Sequence, residues 1–369
     1  MRRVAKTLRV GCILLFIFLF CAFALFPQPV HAINTVTATI PVGTFPCSVA
    51  VTPNGEYAYV TNYGTSSVSV IKTATNTVTA TVTVGSQPDY VAVTPNGLYA
   101  YVANANSSSV SVIRTDTNKV AATISVGSYP CAIAITPNGE TAYVTNEVSG
   151  SISVINTATN NVTSTITGLT QPCVLALTPS ASYIYVANIL NNSVSVLNTS
   201  TNLVSATVNV GKAPFGVAVT PNGAYVYVSN GNSNSVSVIS TTSNTVIATV
   251  NLGSHPNYVA VTPNGAYVYV SNEFTSSVSV INTATNTVTA TVNVGSHPFG
   301  VTITPNGAYV YVTDGTGNSV SVINTATNTA GFSAVDWSIL IIVIIIVLFL
   351  AILALYRRRR KKISQTQTT

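Results

Sequence analysis

Thr262-Pro263-Asn264-Gly265-Ala266-Tyr267-Val268-Tyr269-Val270-Ser271-Asn272 decides the fold of this chain. The stretch recurs with small changes from Thr52, Thr94, Thr136, Thr178, Thr220 and Thr304, each start 42 residues after the last. A length of 369 residues would suggest two globular domains, but a fixed period of this size signals one repeat architecture.

Outward from that stretch, one unit reads as four strands. Tyr258 to Thr262 is a short apolar run. Pro263-Asn264-Gly265 turns the chain, Pro presetting φ and Gly taking the position that needs φ > 0. Ala266 to Ser271 alternates tyrosine and valine faces, Ser277 to Ile281 alternates polar and apolar, and Thr287 to Val294 is a threonine-rich fourth run. No period of 3.6 appears. Four antiparallel strands in 42 residues make a β-propeller blade. Small residues, from Ala50 through Ala92, Ala134, Ala176 and Ala218 to Ala260, suit the crowded axis.

A straight solenoid would need atypical capping repeats, and none is visible. Instead the first unit is preceded by Asn34 to Val42, which matches a fourth strand only, and the last unit stops after its third strand. Together they complete one blade. The expectation is an all-β, seven-bladed propeller closed by its N-terminal strand, leaving no free edge at the seam. Repeat four has Ser180-Ala181-Ser182 in place of Asn-Gly-Xaa, so a different turn is expected there.

Tyr59-Val60-Thr61-Asn62 and Tyr143-Val144-Thr145-Asn146, with close variants from Tyr101, Tyr185, Tyr227, Tyr269 and Tyr311, carry a family likeness. The chain resembles the YVTN family of β-propellers over nearly all of its repeat region. That resemblance implies a surface-layer or other cell-surface role and names no ligand.

The ends read differently. Arg2 to Arg9, an apolar run 12–26 and Val30-His31-Ala32 form a secretory signal over 1–32, cleaved after Ala32; an uncleaved anchor is the alternative. The propeller is assigned to 33–328 and a linker to 329–337. A transmembrane helix follows at 338–356, 18 of its residues free of charge and flanked by Trp337 and Tyr356. The basic tail 357–369 stays on the cytoplasmic side, which puts the propeller outside the cell. Ten of the 14 basic residues lie in the two ends; between Ile33 and Asp336 four bases face eight acids. Nucleic acid is therefore excluded as a partner, despite a net charge of +6.

Chemistry-bearing residues are sparse. The carboxylates show no acid–base pair at useful spacing. His255 and His297 occupy the same place in adjacent repeats and are weak candidates for a shared metal, too few alone for zinc. The position five before each turn threonine reads Cys47, Asp89, Cys131, Cys173, Phe215, Asn257 and Phe299 around the channel mouth. Cys131 and Cys173, on adjacent blades, are a candidate disulfide, and buried thiols without a base in sequence reach are the alternative. Variable loops on that rim place Tyr63, Asp89, Tyr129, Glu147, Ile189, Leu190 and Phe274 as binding-face candidates, beside Phe45 and Lys212. Sequons at Asn106, Asn161, Asn191 and Asn198 fall in predicted loops or turns and are candidate glycosylation sites. Charge-free, threonine-rich outer strands favour lateral self-association.

These features give the expected function: a membrane-anchored, non-catalytic cell-surface platform for structure, adhesion or binding of a protein or glycan partner, with no cofactor. An exported propeller enzyme of the lactonase or quinoprotein type, with its site at the channel mouth, is the alternative.

Overall fold

A computed structural model describes residues 35–325, so the leader, linker, apolar segment and basic tail assigned above lie outside the described residues. No helix among the described residues is long and apolar enough to cross a membrane. The described chain forms seven four-stranded antiparallel sheets, one per blade. Blade I is typical: its inner strand is Pro46–Val51, followed by Tyr57–Asn62, Ser67–Lys72 and the outer strand Thr77–Thr83. Blade VII holds Pro298–Ile303, Tyr309–Asp314 and Ser319–Asn324, and its outer strand is Thr35–Pro41 from the other end of the repeat region. Thr35 pairs with Asn324 and Ile40 with Val320, which closes the ring as the sequence predicts.

Each letter of Tyr-Val-Thr-Asn has its own contact. The tyrosine ring is buried, and in five blades its hydroxyl donates to the Asn Oδ1 of the next blade's outer turn. Tyr59 reaches Asn118 at 2.9 Å, and Tyr311 reaches Asn76 at 3.0 Å across the closure. The valine is fully buried between sheets. In five blades the threonine, or serine in its place, donates to an inner-strand carbonyl of the next blade, as Thr145 does to Cys173 O and Thr313 to Cys47 O; blades II and IV have Ala103 and Ala187 there instead. The asparagine, Asp314 in blade VII, is held by two serine hydroxyls of the third strand, as Asn62 is by Ser67 and Ser69. A net gain of about 1 kcal/mol is ordinary for each such bond, but leaving a buried amide or phenol unpaired costs more. The motif therefore persists as a set.

The Thr-Pro-Asn-Gly turns line the lower rim. In each, the fourth residue's N–H donates to the threonine carbonyl at 2.7–2.8 Å. Repeat four is no exception. Ala181 N–H donates to Thr178 O at 2.8 Å, and Ala181 takes φ +56 where the other repeats place glycine at φ +71 to +75. The expected different turn is corrected: Ser180 Oγ stands in for the asparagine side chain, 3.2 Å from Thr178 Oγ1 and accepting Ser182 N–H at 3.4 Å, and so holds Ala181 in the left-handed region it disfavours. Two sequons also sit differently from expectation. Asn106 and Asn191 are exposed in upper-rim loops, but Asn161 opens an outer strand and Asn198 ends a third strand, because both runs extend one residue into the turn.

Candidate functional site at the channel mouth

Every inner strand starts at the upper rim, and the residue before its opening proline is left-handed although none is glycine: Phe45, Gln87, Tyr129, Gln171, Ala213, His255 and His297, with φ between +46 and +57. In all seven, its carbonyl accepts the N–H that follows the blade's second strand, at 2.8–3.2 Å. The rim loops are thus locked in pairs, and strained backbone of this kind concentrates at functional sites. Two residues further on lies the ring Cys47, Asp89, Cys131, Cys173, Phe215, Asn257 and Phe299, which the sequence places at the mouth. The structure brings several of these together. Cys47 is buried, its thiol lies 3.8 Å from Phe45 O, and it sits close enough to Asp89 for each to shift the other's proton affinity. Cys131 and Cys173 are free, buried thiols in hydrogen-bond contact, and Cys131 Sγ lies 3.3 Å from Pro172 O.

Electrostatics single out Asp89. Burial raises its carboxyl from 3.8 to about 7; the Cys47 thiol opposes that shift and the Glu147 charge adds to it. Burial likewise pushes Glu147 up, while Gln171 Nε2 donates to its Oε1 at 3.2 Å. Cys47 is raised well above the usual thiol range by burial and then by the Asp89 charge, so it is a thiol and not a nucleophilic thiolate. Two expectations are corrected here. A carboxylate does stand near a mouth cysteine, and the Glu147 charge reaches Asp89 from the next blade. Both come from different blades, so spacing along the chain concealed them.

Below the mouth, Tyr90 and Tyr258 stack across the channel at a centroid distance of 6.0 Å, and Phe215 meets Tyr258 edge-on at 5.3 Å. Burial keeps both phenols protonated, Tyr90 rising to about 12. A cavity of about 250 Å³ beside them is lined by the inner strands of blades VII, I and II. Sequence reasoning missed the two tyrosines. Aligned copies contain the signal, since the position after the mouth ring reads Ser48, Tyr90, Ala132, Val174, Gly216, Tyr258 and Gly300. Glycine is required where the next strand crowds in: a Cβ on Gly300 would lie 2.5 Å from Cys47 O.

The remaining candidates divide. His255 Nδ1 lies 2.9 Å from Glu273 Oε2, which also accepts from Asn257 Nδ2 at 3.0 Å. The Phe274 ring packs between His255 and His297, at 4.7 and 6.3 Å, and His297 Nδ1 turns to Thr316. That interposed ring keeps the histidines from a common ion, and no group of three metal-ligating side chains forms among the described residues. Tyr63 and Tyr129 join hydroxyls at 3.2 Å, and Phe45 stacks between Tyr63 and Phe299. Leu190 and Phe274 are exposed, whereas Ile189 packs on the core. The mouth thus carries acids on blades II, III and VI (Asp89, Glu147 and Glu273) and packed aromatic rings on blades VII and I.

Three comparisons complete the picture. A family model described as "Lactonase, 7-bladed beta-propeller" matches residues 30–247 and 241–341. No curated protein matches the chain. Among solved structures, Kuenenia stuttgartiensis hydrazine synthase aligns with a TM-score of 0.71 at 24% identity, covering 82% of this chain and 99% of that one; at this identity the likeness shows the fold alone. The family match overturns the expectation of a non-catalytic platform and favours the alternative, an enzyme-like propeller. The physical reason lies in the ring: carboxylates that look scattered in the sequence share one mouth, where the Glu147 charge is felt by Asp89.

Proposed function

The chain belongs to the seven-bladed β-propeller lactonase family, and from that premise we propose that it hydrolyses a lactone at the channel mouth with Asp89 as general base. The observation that carries the reading is a carboxyl held at about 7 beside the mouth, since a general base works best when its pKa lies near the operating pH. Asp89 takes a proton from water and the hydroxide adds to the lactone carbonyl. Collapse breaks the ring C–O bond, and the proton on Asp89 passes to the departing alkoxide, giving one hydroxy acid per lactone and water. Tyr90 and Tyr258 are the neutral donors available to the developing oxyanion. Glu147, hydrogen-bonded by Gln171, helps to keep Asp89 poised.

Location is part of the proposal. The basic leader, the charge-free segment at 338–356 and the arginines at 357–360 support a catalytic propeller outside the membrane with the membrane as its anchor, and the literal Tyr-Val-Thr-Asn copies support a surface-type lineage within the family. Protease shaving of intact cells should remove the propeller and spare the tail. For the chemistry, Asp89→Asn in the full chain should lower kcat/KM for lactones by ~10²–10⁴-fold, and wild-type kcat/KM should rise with pH to a plateau above about 7. Absence of wild-type turnover, or an unchanged Asp89→Asn variant, would overturn the assignment.

A further inference from the structure

The aromatic rings and the acids of the mouth differ in what they accept. Phe45, Tyr63 and Phe299 are half-buried and mutually packed, with ring centroids 5.9 and 6.1 Å apart, and Phe215 adds a further half-buried ring against Tyr258. Interleaved with these rings around the mouth stand Asp89 of blade II, Glu147 of blade III and Glu273 of blade VI. The cations are elsewhere. Lys72, Arg114 and Lys119 lie at the lower ends of their strands, with Arg114 held by Asp116 at 2.6 Å. Among the described residues only Lys212, exposed in the loop that enters the inner strand of blade V, is a permanently charged base on the upper face. His255 is turned onto Glu273 and Phe274, and His297 onto Thr316.

A phosphate or carboxylate on the substrate would therefore enter a mouth lined with like charge, without the arginine fork or lysine that normally receives one. An alkyl or aryl group would instead remove half-exposed rings from water. Resting on the hydrolase reading above, we infer that the substrate is an uncharged lactone with an apolar substituent, its ester at Asp89 and its substituent on Phe45, Phe299 and Phe215. Each methylene buried there is worth about fourfold in binding.

The experiment compares kcat/KM of the full chain for γ-butyrolactone, γ-nonalactone and a lactone carrying a phosphate monoester. The expected order has nonalactone ahead of butyrolactone by ~10–100-fold, and the phosphorylated lactone at least ~100-fold behind nonalactone. Phe299→Ala, with Phe299→Leu as the gentler variant should the first fail to fold, should shrink the nonalactone advantage. In parallel, equilibrium dialysis measures binding of the non-hydrolysable alkyl lactam to wild type and to Asp89→Asn. Turnover without an alkyl preference, or with a preference for the phosphorylated lactone, overturns the inference and leaves the hydrolase standing. Lactam binding that Phe299→Ala weakens, with no lactone turned over, removes the hydrolase reading but keeps the apolar subsite. Neither turnover nor lactam binding removes both.

Discussion

The two rims of the ring come from the same 42-residue unit and are built on opposite rules. On the lower rim residue identity fixes conformation. A threonine hydroxyl, an asparagine and a glycine fold the hairpin locally, and Thr262 Oγ1 alone bonds Asn264 Oδ1, Tyr267 N and Tyr267 O. On the upper rim conformation is fixed by neighbours. The left-handed residue of each blade is pinned through its own carbonyl, so phenylalanine, glutamine, tyrosine, alanine or histidine all serve. Charge follows the same division. The lower rim balances Glu56, Asp116 and Glu140 with Lys72, Arg114 and Lys119, whereas the upper face sets Asp89, Glu147, Glu273 and Asp314 against Lys212. The difference separates a rim free to vary its side chains from one that must not.

If that division holds, activity and stability should respond to different rims. The largest contrast is between Asp89→Asn, with its ~10²–10⁴-fold loss in kcat/KM, and Glu140→Gln below, where turnover should stay within about twofold. An equal loss in both would erase the distinction. Next comes pH. The folded pKa of Asp89 is raised, so the native state holds its proton more tightly than the unfolded chain. The associated stability is complete below about 4 and lost as pH rises through about 7. Urea unfolding of wild type should weaken by roughly 2–4 kcal/mol across that window, and Asp89→Asn should remove most of the fall. A wild-type profile that is flat between pH 4 and 7 would show the carboxyl to be ordinary.

Two smaller effects probe the lower rim. Thr262→Ala should cost about 1 kcal/mol by removing the hydroxyl that bonds the part-buried Tyr267 N–H and the Asn264 side chain, lowering Tm while kcat/KM is retained. Ala181→Gly should gain roughly 1 kcal/mol by relieving a left-handed alanine; a loss instead would mean that the Ala181 methyl packs more usefully than its backbone is strained.

The fold was legible because its signals are local and repeated: the turn, the alternation and the split blade all appear within one period. The site was not, for a geometric reason. Cys47, Asp89 and Glu147 sit on three successive blades, each alone in its stretch of sequence, so their places on the rim could be read from the repeat but their influence on one another could not. Tyr90 and Tyr258 were half legible. Their departure from the small residues of the other repeats is plain when the copies are aligned, but that two such rings stack becomes visible only when blades II and VI face one channel. The Tyr-Val-Thr-Asn residues act in the scaffold, so their likeness carries the fold, while the chemistry lies at the mouth, where the copies differ.

The blade completed by Thr35–Pro41 also sets a clock. Its two halves are separated by nearly the whole repeat region, Thr35 pairing with Asn324. The first strand made must wait, unpaired, for the last. At synthesis rates of ~5–20 residues per second that interval is roughly 15–60 s, and a contact between such distant parts of a chain is among the slowest to form. Six blades can assemble in the meantime, but the mouth, whose packed rings span the seam through Phe45 and Phe299, cannot exist until the final strand arrives. Ring closure and acquisition of the site should therefore be one kinetic event.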